Sequence, residues 1–245
     1  MGVERRVALV TGAAKRIGRA IALELARAGC DVAVHCRQSR DQAEETAELI
    51  RGLDRRAAVL AADLADPQAT ATLAAQTVEA LGGLHILVNN ASAFDRMCLA
   101  DFSLEAWNAT LALNLTAPMV LSHAAYPHLR ANHQGQIVNL LDIAAERPWP
   151  DHLAYCVSKA ALSNLTTALA RAMAPDVRVN GVAPGAALFP ESQDKAQIKA
   201  ITRRIPALRV GTAEEVAAVV RFMVCEASYV TGAILNVDGG RSIAW

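Results

Sequence analysis

The stretch Arg6–Gly18, which reads RVALVTGAAKRIG, decides the fold. Its first part, Arg6–Thr11, is short, apolar and rich in β-branched residues, which predicts a buried strand. Ile17–Ala28 follows with the spacing of apolar residues that is typical of a helix. Between strand and helix, Gly12 permits a tight turn and Gly18 permits close approach of the backbone. The stretch therefore predicts a strand, a glycine turn and a helix in immediate succession.

The same alternation of short apolar runs and alanine-rich helical stretches continues along the chain. Further strands are predicted at Asp31–Cys36, Ala57–Ala61, His85–Asn89, Gln136–Leu141, Val177–Val182 and Ala233–Val237. Helices are predicted between them, at Ser39–Arg51, Pro67–Leu81, Leu104–Ala131, Leu153–Ala174 and Ala213–Val224. The pattern predicts an α/β fold, a doubly wound Rossmann-type parallel sheet of about seven strands with helices on both faces in a three-layer sandwich. We expect residues 1–245 to form a single domain, with a substrate loop in the irregular stretch 183–206.

Composition restricts the class of protein. The chain carries 24 basic and 24 acidic residues, which argues against nucleic acid as a partner. No apolar run approaches the roughly 18 residues of a membrane-spanning helix, and no signal peptide is visible, so we expect no membrane association and a cytoplasmic location. The five cysteines lack C-x-x-C spacing and the six histidines lack H-x-x-x-H spacing. They predict free thiols and no metal site.

The turn after the first strand is a candidate phosphate-binding site. Lys15, Arg16 and Ile17 lie within it, and the exposed amides and helix dipole at such a turn favour a pyrophosphate. This turn is also where an open α/β sheet binds a dinucleotide. The two glycines alone are a weak signal, and an ordinary glycine-containing turn is the alternative.

The end of the second strand indicates which cofactor is bound. Proteins that bind NAD usually place an acid there to hold the ribose 2′-hydroxyl. Here the chain reads His35-Cys36-Arg37-Gln38-Ser39-Arg40, with no acid before Asp41. Cations and a hydroxyl suit a 2′-phosphate, so His35, Arg37 and Ser39 predict NADPH (or NADP) as the cofactor. The alternative is that the arginines are simply solvated.

Two other segments lie where a nucleotide could be bound. Asp63 and Leu64, just past the third strand, could meet the adenine. Asn90, Ala91 and Ser92 follow the fourth strand, at the carboxyl edge of the sheet where ligands bind. Asparagine at such a place also often only shapes a turn.

Tyr155 and Lys159 are the candidate reaction centre. Residues four apart share one face of a helix. A cation beside a phenol favours the phenolate and lowers a pKa that is ordinarily about 10, which makes Tyr155 a usable proton donor or acceptor near neutral pH. Taken alone, such a pair is more often an ordinary surface pair.

Together these motifs resemble the short-chain dehydrogenase/reductase family, and the resemblance covers essentially the whole chain. It is carried by Thr11-Gly12 with Gly18, Asn89-Asn90-Ala91, Asn114, Tyr155 with Lys159, and Pro184-Gly185. The resemblance implies a nicotinamide cofactor that Tyr155, Lys159, Pro184 and Gly185 help to bind, and catalytic roles for Tyr155 and Lys159. It also implies that Asn114 holds a water near Lys159 and that the chain forms a homotetramer.

One position departs from the family pattern. Most members carry a serine about 13 residues before the tyrosine, where this chain has Asp142. A serine hydroxyl can always donate to a developing alkoxide, whereas an ionised aspartate cannot donate at all. The substitution suits delivery of a proton to a ring nitrogen, with Asp142 relaying it through Tyr155.

Asp142 makes the chain similar to the pteridine reductase branch of that family, which includes bacterial dihydromonapterin reductases. TGAAKRIG matches this branch's TGAAKR[LI]G, Asn90–Phe94 resembles its NAS-x-F segment, and Ala183–Phe189 resembles its loop after the sixth strand. The resemblance implies that Phe94 stacks a pterin on the nicotinamide and that Ser92 and Arg16 reach cofactor and substrate. It also places Leu188 in the substrate pocket. Two positions depart from the branch, since Arg37 is displaced from an HRS-type motif and Asp95 replaces a tyrosine.

The leading hypothesis is therefore an NADPH-dependent reductase of a dihydropterin-like substrate, a pteridine or dihydrofolate. The first alternative is an NADPH-dependent carbonyl reductase that acts on a 3-oxoacyl compound or another ketone. The second is a non-catalytic NADPH-binding sensor, against which the intact pair of Tyr155 and Lys159 counts.

Overall fold

A single parallel sheet organises the molecule. The computed structural model describes residues 6–132, 134–187 and 194–244. Within them, seven strands are hydrogen-bonded in the order β3-β2-β1-β4-β5-β6-β7. The strands are β1 (Val7–Val10), β2 (Asp31–Cys36), β3 (Ala57–Ala61), β4 (Ile86–Asn89), β5 (Gly135–Leu140), β6 (Val177–Pro184) and β7 (Ile234–Val237). All six strand pairs are parallel, so the predicted sheet is confirmed.

Helices cover both faces of this sheet. They are α1 (Arg16–Arg27), α2 (Arg40–Arg51), α3 (Pro67–Leu81), α4 (Leu104–Leu111), α5 (Ala117–Ala131), α6 (Leu153–Ala172), α7 (Lys195–Thr202) and α8 (Ala213–Cys225). One apolar core joins α1, α2 and α8 to the sheet, and a second joins α3, α5 and α6 to its other face. Every residue of β1, β2, β4 and β5 is buried, as expected for strands with helices on both sides. The doubly wound, three-layer arrangement is thus confirmed.

The strand order places the candidate site. The chain winds outwards from β1 to β3 and then returns to begin the other half of the sheet at β4, beside β1. An open α/β sheet binds its ligand outside the carboxyl ends of the strands at such a reversal. Thr11 and Asn90 lie at this point, and Asp142 and Gly185 follow the neighbouring strands β5 and β6 along the same edge.

Two segments differ from the predicted elements. The predicted helix over 104–131 is interrupted by a π-helical turn at Ala112–Thr116. Pro118 explains the interruption, because it has no amide N–H to donate to the carbonyl four residues earlier. In the stretch predicted to be irregular, α7 forms over Lys195–Thr202, with the Asp194 carboxylate accepting from the Ala196 amide at 3.0 Å. Leu188, predicted to line the substrate pocket, lies outside the described residues.

Three further findings concern features predicted to be absent. All five cysteines are free thiols, as predicted. The described residues hold no cluster of three or more histidine, cysteine, aspartate or glutamate side chains that could bind a metal ion. Across the same ranges, no helix has both the length and the apolar character needed to cross a membrane.

Candidate active site

The glycine turn after β1 forms a close-packed cradle. A Cβ atom on Gly18 would lie 2.2 Å from the Gly12 carbonyl oxygen and 2.5 Å from Nδ2 of Asn90. Only glycine fits there, because real Cβ contacts are never so short. Gly12 itself has a φ of +63°, which glycine adopts without strain. The glycines thus set a tight turn directly before the start of α1, and free backbone amides at such a helix start suit a phosphate group.

Hydrogen bonds between Thr11 and Asn90 join the ends of β1 and β4. Nδ2 of Asn90 donates to the Thr11 carbonyl at 2.8 Å. The Thr11 hydroxyl oxygen accepts from the amides of Asn90 and Ala91 at 2.9 and 3.0 Å. Asn90 thus shapes the cradle with its side chain.

His35 supports the turn from beneath. Its Nδ1 accepts from the Gly12 amide at 3.1 Å, and its Nε2 lies 3.1 Å from the Ala62 carbonyl. The ring is buried, and burial lowers the pKa of His35, so the neutral ring with its proton on Nε2 satisfies both contacts. The prediction that His35 reads a phosphate directly is therefore corrected, since neither ring nitrogen is free for a ligand.

Positive charge surrounds the cradle. Lys15, Arg16 and Arg37 are exposed, and Ser39 at the start of α2 is partly exposed. None of these three cations forms an ion pair with a residue that the structure describes. A glycine cradle beside uncompensated cations fits the phosphates of a dinucleotide.

Arg16 has an unusual backbone conformation. Its φ is +56°, in the left-handed region that non-glycine residues seldom adopt. That conformation costs about 1 kcal/mol in a residue with a Cβ atom. Strained positions of this kind cluster at ligand-binding sites, so Arg16 is a candidate for contact with the cofactor.

The predicted adenine contacts divide into two kinds. Asp63 is exposed, and its carboxylate accepts from the Ala65 amide at 3.0 Å. Leu64 is buried in the core beneath α3, so only its backbone can reach a ligand.

Asn114 lies in the π-helical turn and joins three segments. Its Oδ1 accepts from the Ala93 amide at 2.8 Å and lies 3.2 Å from the Ser92 hydroxyl. Its Nδ2 donates to the Ala93 carbonyl and to the Ser158 hydroxyl, both at 3.0 Å. The side chain thus fixes the loop after β4 against α6. Its predicted role of holding a water is not available to the side chain, whose polar atoms are already engaged.

Tyr155, Asp142 and Lys159 meet at the carboxyl ends of β5 and β6. The Tyr155 hydroxyl donates to Oδ2 of Asp142 at 2.8 Å. Oδ1 of Asp142 accepts from the Ala144 amide at 2.8 Å, which fixes the carboxyl group. Nζ of the buried Lys159 donates to the Leu140 carbonyl at 2.8 Å. Three of the four residues that the sequence predicts to be catalytic are therefore brought together, and the fourth, Asn114, contacts Ser158 in the helix that carries Tyr155 and Lys159.

The pKa of Tyr155 differs from the prediction. Burial, followed by the charge and the hydrogen bond of Asp142, raises the pKa of the Tyr155 phenol well above its ordinary value. This shift is opposite to the one expected from Lys159, because burial and Asp142 outweigh any effect of its Nζ, which lies 5.7 Å from the ring centre and whose own pKa burial lowers to about 8. Tyr155 is therefore a protonated donor at neutral pH. Burial also raises the pKa of Asp142, against the opposing effects of the Ala144 amide, Tyr155, Lys159 and Arg241.

Aromatic side chains surround the Tyr155 ring. The Phe94 ring stacks on His152 at 4.3 Å and meets Tyr155 edge-on at 4.7 Å, while Trp149 lies parallel to Tyr155 at 6.5 Å. Phe94 is still 54% exposed, so a flat ring can reach it. Trp149 and His152 both lie beside Phe94, at ring distances of 6.0 and 4.3 Å.

Two backbone hydrogen bonds hold this cluster in place. The Met97 amide donates to the Asp151 carbonyl at 2.8 Å, and the Leu153 amide donates to the Met97 carbonyl at 3.0 Å. They join the loop that carries Phe94 to the start of the helix that carries Tyr155. The relative position of these two rings is thereby fixed by main chain as well as by side-chain contact.

The C-terminal turn completes this edge of the sheet. Pro184 ends β6, and the Gly185 amide donates to the Val237 carbonyl at 3.0 Å. Beyond β7, Arg241 lies close enough to Asp142 for each charge to act on the pKa of the other group. Sequence reasoning missed Arg241 because 98 positions separate it from Asp142 and no local motif marks it.

Comparisons with known proteins agree with this geometry. The family described as enoyl-(acyl carrier protein) reductase matches residues 12–242. An uncharacterized oxidoreductase of Thermotoga maritima is 35% identical, and the match covers 99% of each chain. A 3-oxoacyl-[acyl-carrier-protein] reductase of Synechocystis is 33% identical over 96% of each chain.

A solved structure is also similar over nearly the whole chain. It is FolM, alternative dihydrofolate reductase 1 from Brucella canis complexed with NADP, and it is 34% identical with a TM-score of 0.92. The match covers 98% of this chain and 95% of that one. With the glycine cradle and the grouping of Tyr155 with Lys159, these similarities show that the chain belongs to the short-chain dehydrogenase/reductase family of NAD(P)-dependent oxidoreductases.

Proposed function

We propose that the protein is an NADPH-dependent reductase of a dihydropterin-like substrate, a pteridine or dihydrofolate. The observation that carries the proposal is the hydrogen bond from Tyr155 to Asp142, at the position where most of the family has a serine. The pair resembles that of the pteridine reductase branch. The similarity to an alternative dihydrofolate reductase complexed with NADP supports both the substrate class and the cofactor.

The proton is supplied by the chain's own residues. When bound, the reduced nicotinamide supplies a hydride to an electrophilic ring carbon. Tyr155, held protonated by burial and by Asp142, donates its proton to the adjacent ring nitrogen, so that a C=N bond becomes CH–NH. Asp142, whose pKa is raised by burial, then takes up a proton from solvent and passes it to the Tyr155 phenolate across the 2.8 Å hydrogen bond. The carboxylate that remains accepts from the restored phenol, as in this structure.

Orientation of the substrate is assigned to Phe94. Its ring is half-exposed and lies edge-on to Tyr155, while His152 covers one of its faces. A flat pterin stacked on the free face would lie beside the Tyr155 hydroxyl. Such stacking stabilises a bound ring by about 1 kcal/mol beyond the area that it buries.

The cofactor preference rests on the cations around the cradle. Arg37→Asp is expected to reduce the preference for NADPH over NADH roughly 100-fold, because it replaces a charge-assisted contact to the 2′-phosphate with repulsion. The measurement is the ratio of kcat/KM for the two cofactors. Arg27→Asp, which changes an exposed cation at the far end of α1, is the matched control and should leave the ratio unchanged. An unaltered ratio in Arg37→Asp would contradict the assignment.

Substitution of Arg16 should affect the stability of the fold and the affinity for NADPH to different extents. Arg16→Gly is expected to keep the free energy of unfolding within about 1 kcal/mol of the native value, because glycine removes the strain at φ +56°. The dissociation constant for NADPH should nevertheless rise roughly 10-fold through loss of a phosphate contact. Arg19→Gly, in the interior of α1, is the control and should destabilise the fold by about 1 kcal/mol. Native NADPH affinity in Arg16→Gly would refute the role.

A carbonyl reductase is the second candidate function. It is favoured by the similarity to a 3-oxoacyl-[acyl-carrier-protein] reductase and by the raised pKa of Asp142, since a protonated carboxyl group could donate to an alkoxide. A non-catalytic NADPH sensor is the third candidate, and the grouping of Tyr155 with Asp142 and Lys159 counts against it. NADPH binding without turnover of pterins or ketones would favour the sensor.

We also propose a homotetramer, by analogy with the family. Exposed apolar side chains support burial against other copies, among them Leu99 and Phe102 before α4, Leu104 at its start and Ile243 after β7. The cytoplasmic location stays a prediction.

A ternary crystal structure tests the proposed function. The native protein is crystallised with NADP and an oxidised pterin. We expect the pterin against the free face of Phe94, with a ring nitrogen within hydrogen-bonding distance of the Tyr155 hydroxyl. A pterin bound away from these two side chains, or no pterin at all beside bound NADP, would overturn the proposal.

A further inference from the structure

The C-terminal turn lies beside Asp142 because of the strand order. β5, β6 and β7 are adjacent and parallel, so the residues that follow them meet at one edge of the sheet. Asp142 follows β5, Gly185 follows β6 and Arg241 follows β7. The Gly185 backbone packs so tightly on the turn that a Cβ atom there would lie 2.7 Å from Cβ of Asp238. Arg241 is thus placed across a single strand from Asp142.

Hydrogen bonds make this turn rigid. The Asp238 carboxylate accepts from the amides of Gly240 and Ser242 at 2.9 and 2.6 Å. The Gly239 carbonyl accepts from the Ala207 amide at 3.0 Å, which joins the turn to the segment that follows α7. Arg241 begins a short 3₁₀ helix directly after these contacts. Its backbone position is therefore set by the turn and does not depend on a ligand.

The Arg241 side chain carries a charge that the surrounding protein does not neutralise by direct contact. The residue is partly buried, and no described carboxylate lies within ion-pair distance of its guanidinium group. The charged groups that act on it are Asp142, Arg204 and Asp238. A partly buried cation without a direct partner loses hydration, so the nearby Asp142 carboxylate is a favourable counter-charge.

Asp142 in turn faces charged and polar groups from three directions. Tyr155 and Lys159 reach it from α6, the Ala144 amide from the turn after β5, and Arg241 from the C-terminal turn. Lys159 and Arg241 are the two cations among them. Only Lys159 belongs to the motif by which the family is identified.

We propose that Arg241 is a positioning residue that supplies the second cation facing the Asp142 carboxyl group and thereby governs the supply of protons to Tyr155. The inference rests on the proposed function, in which Asp142 restores the proton that Tyr155 gives to the substrate. It assigns to the C-terminal turn a role in the reaction beyond packing on the loop after β6.

The direction of the effect follows from the charges. Burial raises the pKa of Asp142, and Arg241 opposes that rise. Without Arg241 the pKa of Asp142 is higher, so the carboxyl group keeps its proton to higher pH and releases it less readily to Tyr155. Loss of the cation therefore moves the alkaline limb of the kcat profile to higher pH and lowers kcat on the acidic plateau.

The test compares Arg241→Met and Arg241→Gln, which remove the charge, with Arg241→Lys, which keeps it. In ¹³C NMR titrations of protein labelled at aspartate side chains, the Asp142 signal is identified by its loss in Asp142→Asn. We expect its midpoint to rise by about one pH unit in both neutral variants, the size expected for removal of one nearby, partly screened charge. Arg241→Lys should stay near the native midpoint. Arg203→Met, at an exposed cation after α7, is the control and should not differ from native.

Kinetics then connects the titration with turnover. The alkaline limb of kcat for dihydropterin reduction should move in the same direction and by the same amount as the NMR midpoint. An unchanged Asp142 midpoint in folded Arg241→Met and Arg241→Gln overturns the role of Arg241, whatever substrate is used. Absence of pterin turnover would instead refute the proposed function. Because the titration needs no substrate, the NMR midpoint of Asp142 would still test the role of Arg241.

Discussion

Asp142→Ser is expected to lower kcat for dihydropterin reduction roughly 10²- to 10⁴-fold, the range that a positioned proton donor contributes. Serine can still accept from the Ala144 amide, so the turn after β5 should be preserved. What serine cannot do is restore the Tyr155 proton as a carboxyl group with a raised pKa does. The same substitution should raise ketone turnover at least about 10-fold, because it supplies a neutral hydroxyl donor to a developing alkoxide.

Asp142→Asn distinguishes the loss of a proton source from the gain of a neutral hydrogen-bond donor. Asparagine keeps the size and the acceptor of the native side chain, and its amide can donate, but it holds no transferable proton. Pterin turnover should therefore fall as far as in the serine variant. Steady-state rates for a dihydropterin and a 3-oxoacyl substrate measure both changes. Full pterin turnover in either variant would show that Asp142 is not the proton source.

Tyr155→Phe is expected to reduce kcat for dihydropterin reduction by roughly 10²- to 10⁴-fold. The ring that contacts Phe94 remains, so substrate stacking is kept, while the hydroxyl bonded to Asp142 is lost. The loss should therefore appear in kcat and hardly in KM. Stopped-flow mixing of the NADPH complex with substrate measures it as a slow hydride-transfer phase.

Thermal unfolding is the control for that substitution. The phenylalanine variant leaves Oδ2 of Asp142 without its donor, which costs about 1–3 kcal/mol of stability unless the carboxyl group becomes protonated. The assays are therefore made well below the melting temperature of the variant. A phenylalanine variant that retains more than about a tenth of native kcat would contradict a role for the Tyr155 hydroxyl as proton donor.

Local pattern was sufficient to predict the sheet and much of the site. Short apolar runs placed the seven strands nearly to the residue, and their alternation with helices predicted a parallel sheet. The pairing of Asp142 with Tyr155 was also predictable from the motif, since one residue follows β5 and the other begins the next helix along the chain. These features depend on periodicity and on spacing, which a single sequence contains.

Other features depend on which side chains are buried in the folded protein, and the spacing of residues along the chain does not show this. The direction of the Tyr155 pKa was predicted wrongly because a motif shows that Lys159 is near but not that both groups are buried. His35 was assigned to the ligand because its place at the end of β2 does not reveal that Gly12 already occupies its Nδ1. Arg241 was missed because only the order of the strands in the sheet brings the turn after β7 near Asp142.

The central claim is that the proton handled by Tyr155 and Asp142 goes to a ring nitrogen and not to a ketone oxygen. The most direct measurement is the ratio of kcat/KM for dihydropterins to that for 3-oxoacyl substrates, with the native protein and saturating NADPH. Dihydrobiopterin, dihydromonapterin and dihydrofolate are each compared with a 3-oxoacyl thioester by following NADPH oxidation. We predict that at least one of the three exceeds the thioester by 100-fold or more, about 2.7 kcal/mol of transition-state stabilisation. Strong thioester turnover with all three pterin compounds inert would contradict the account.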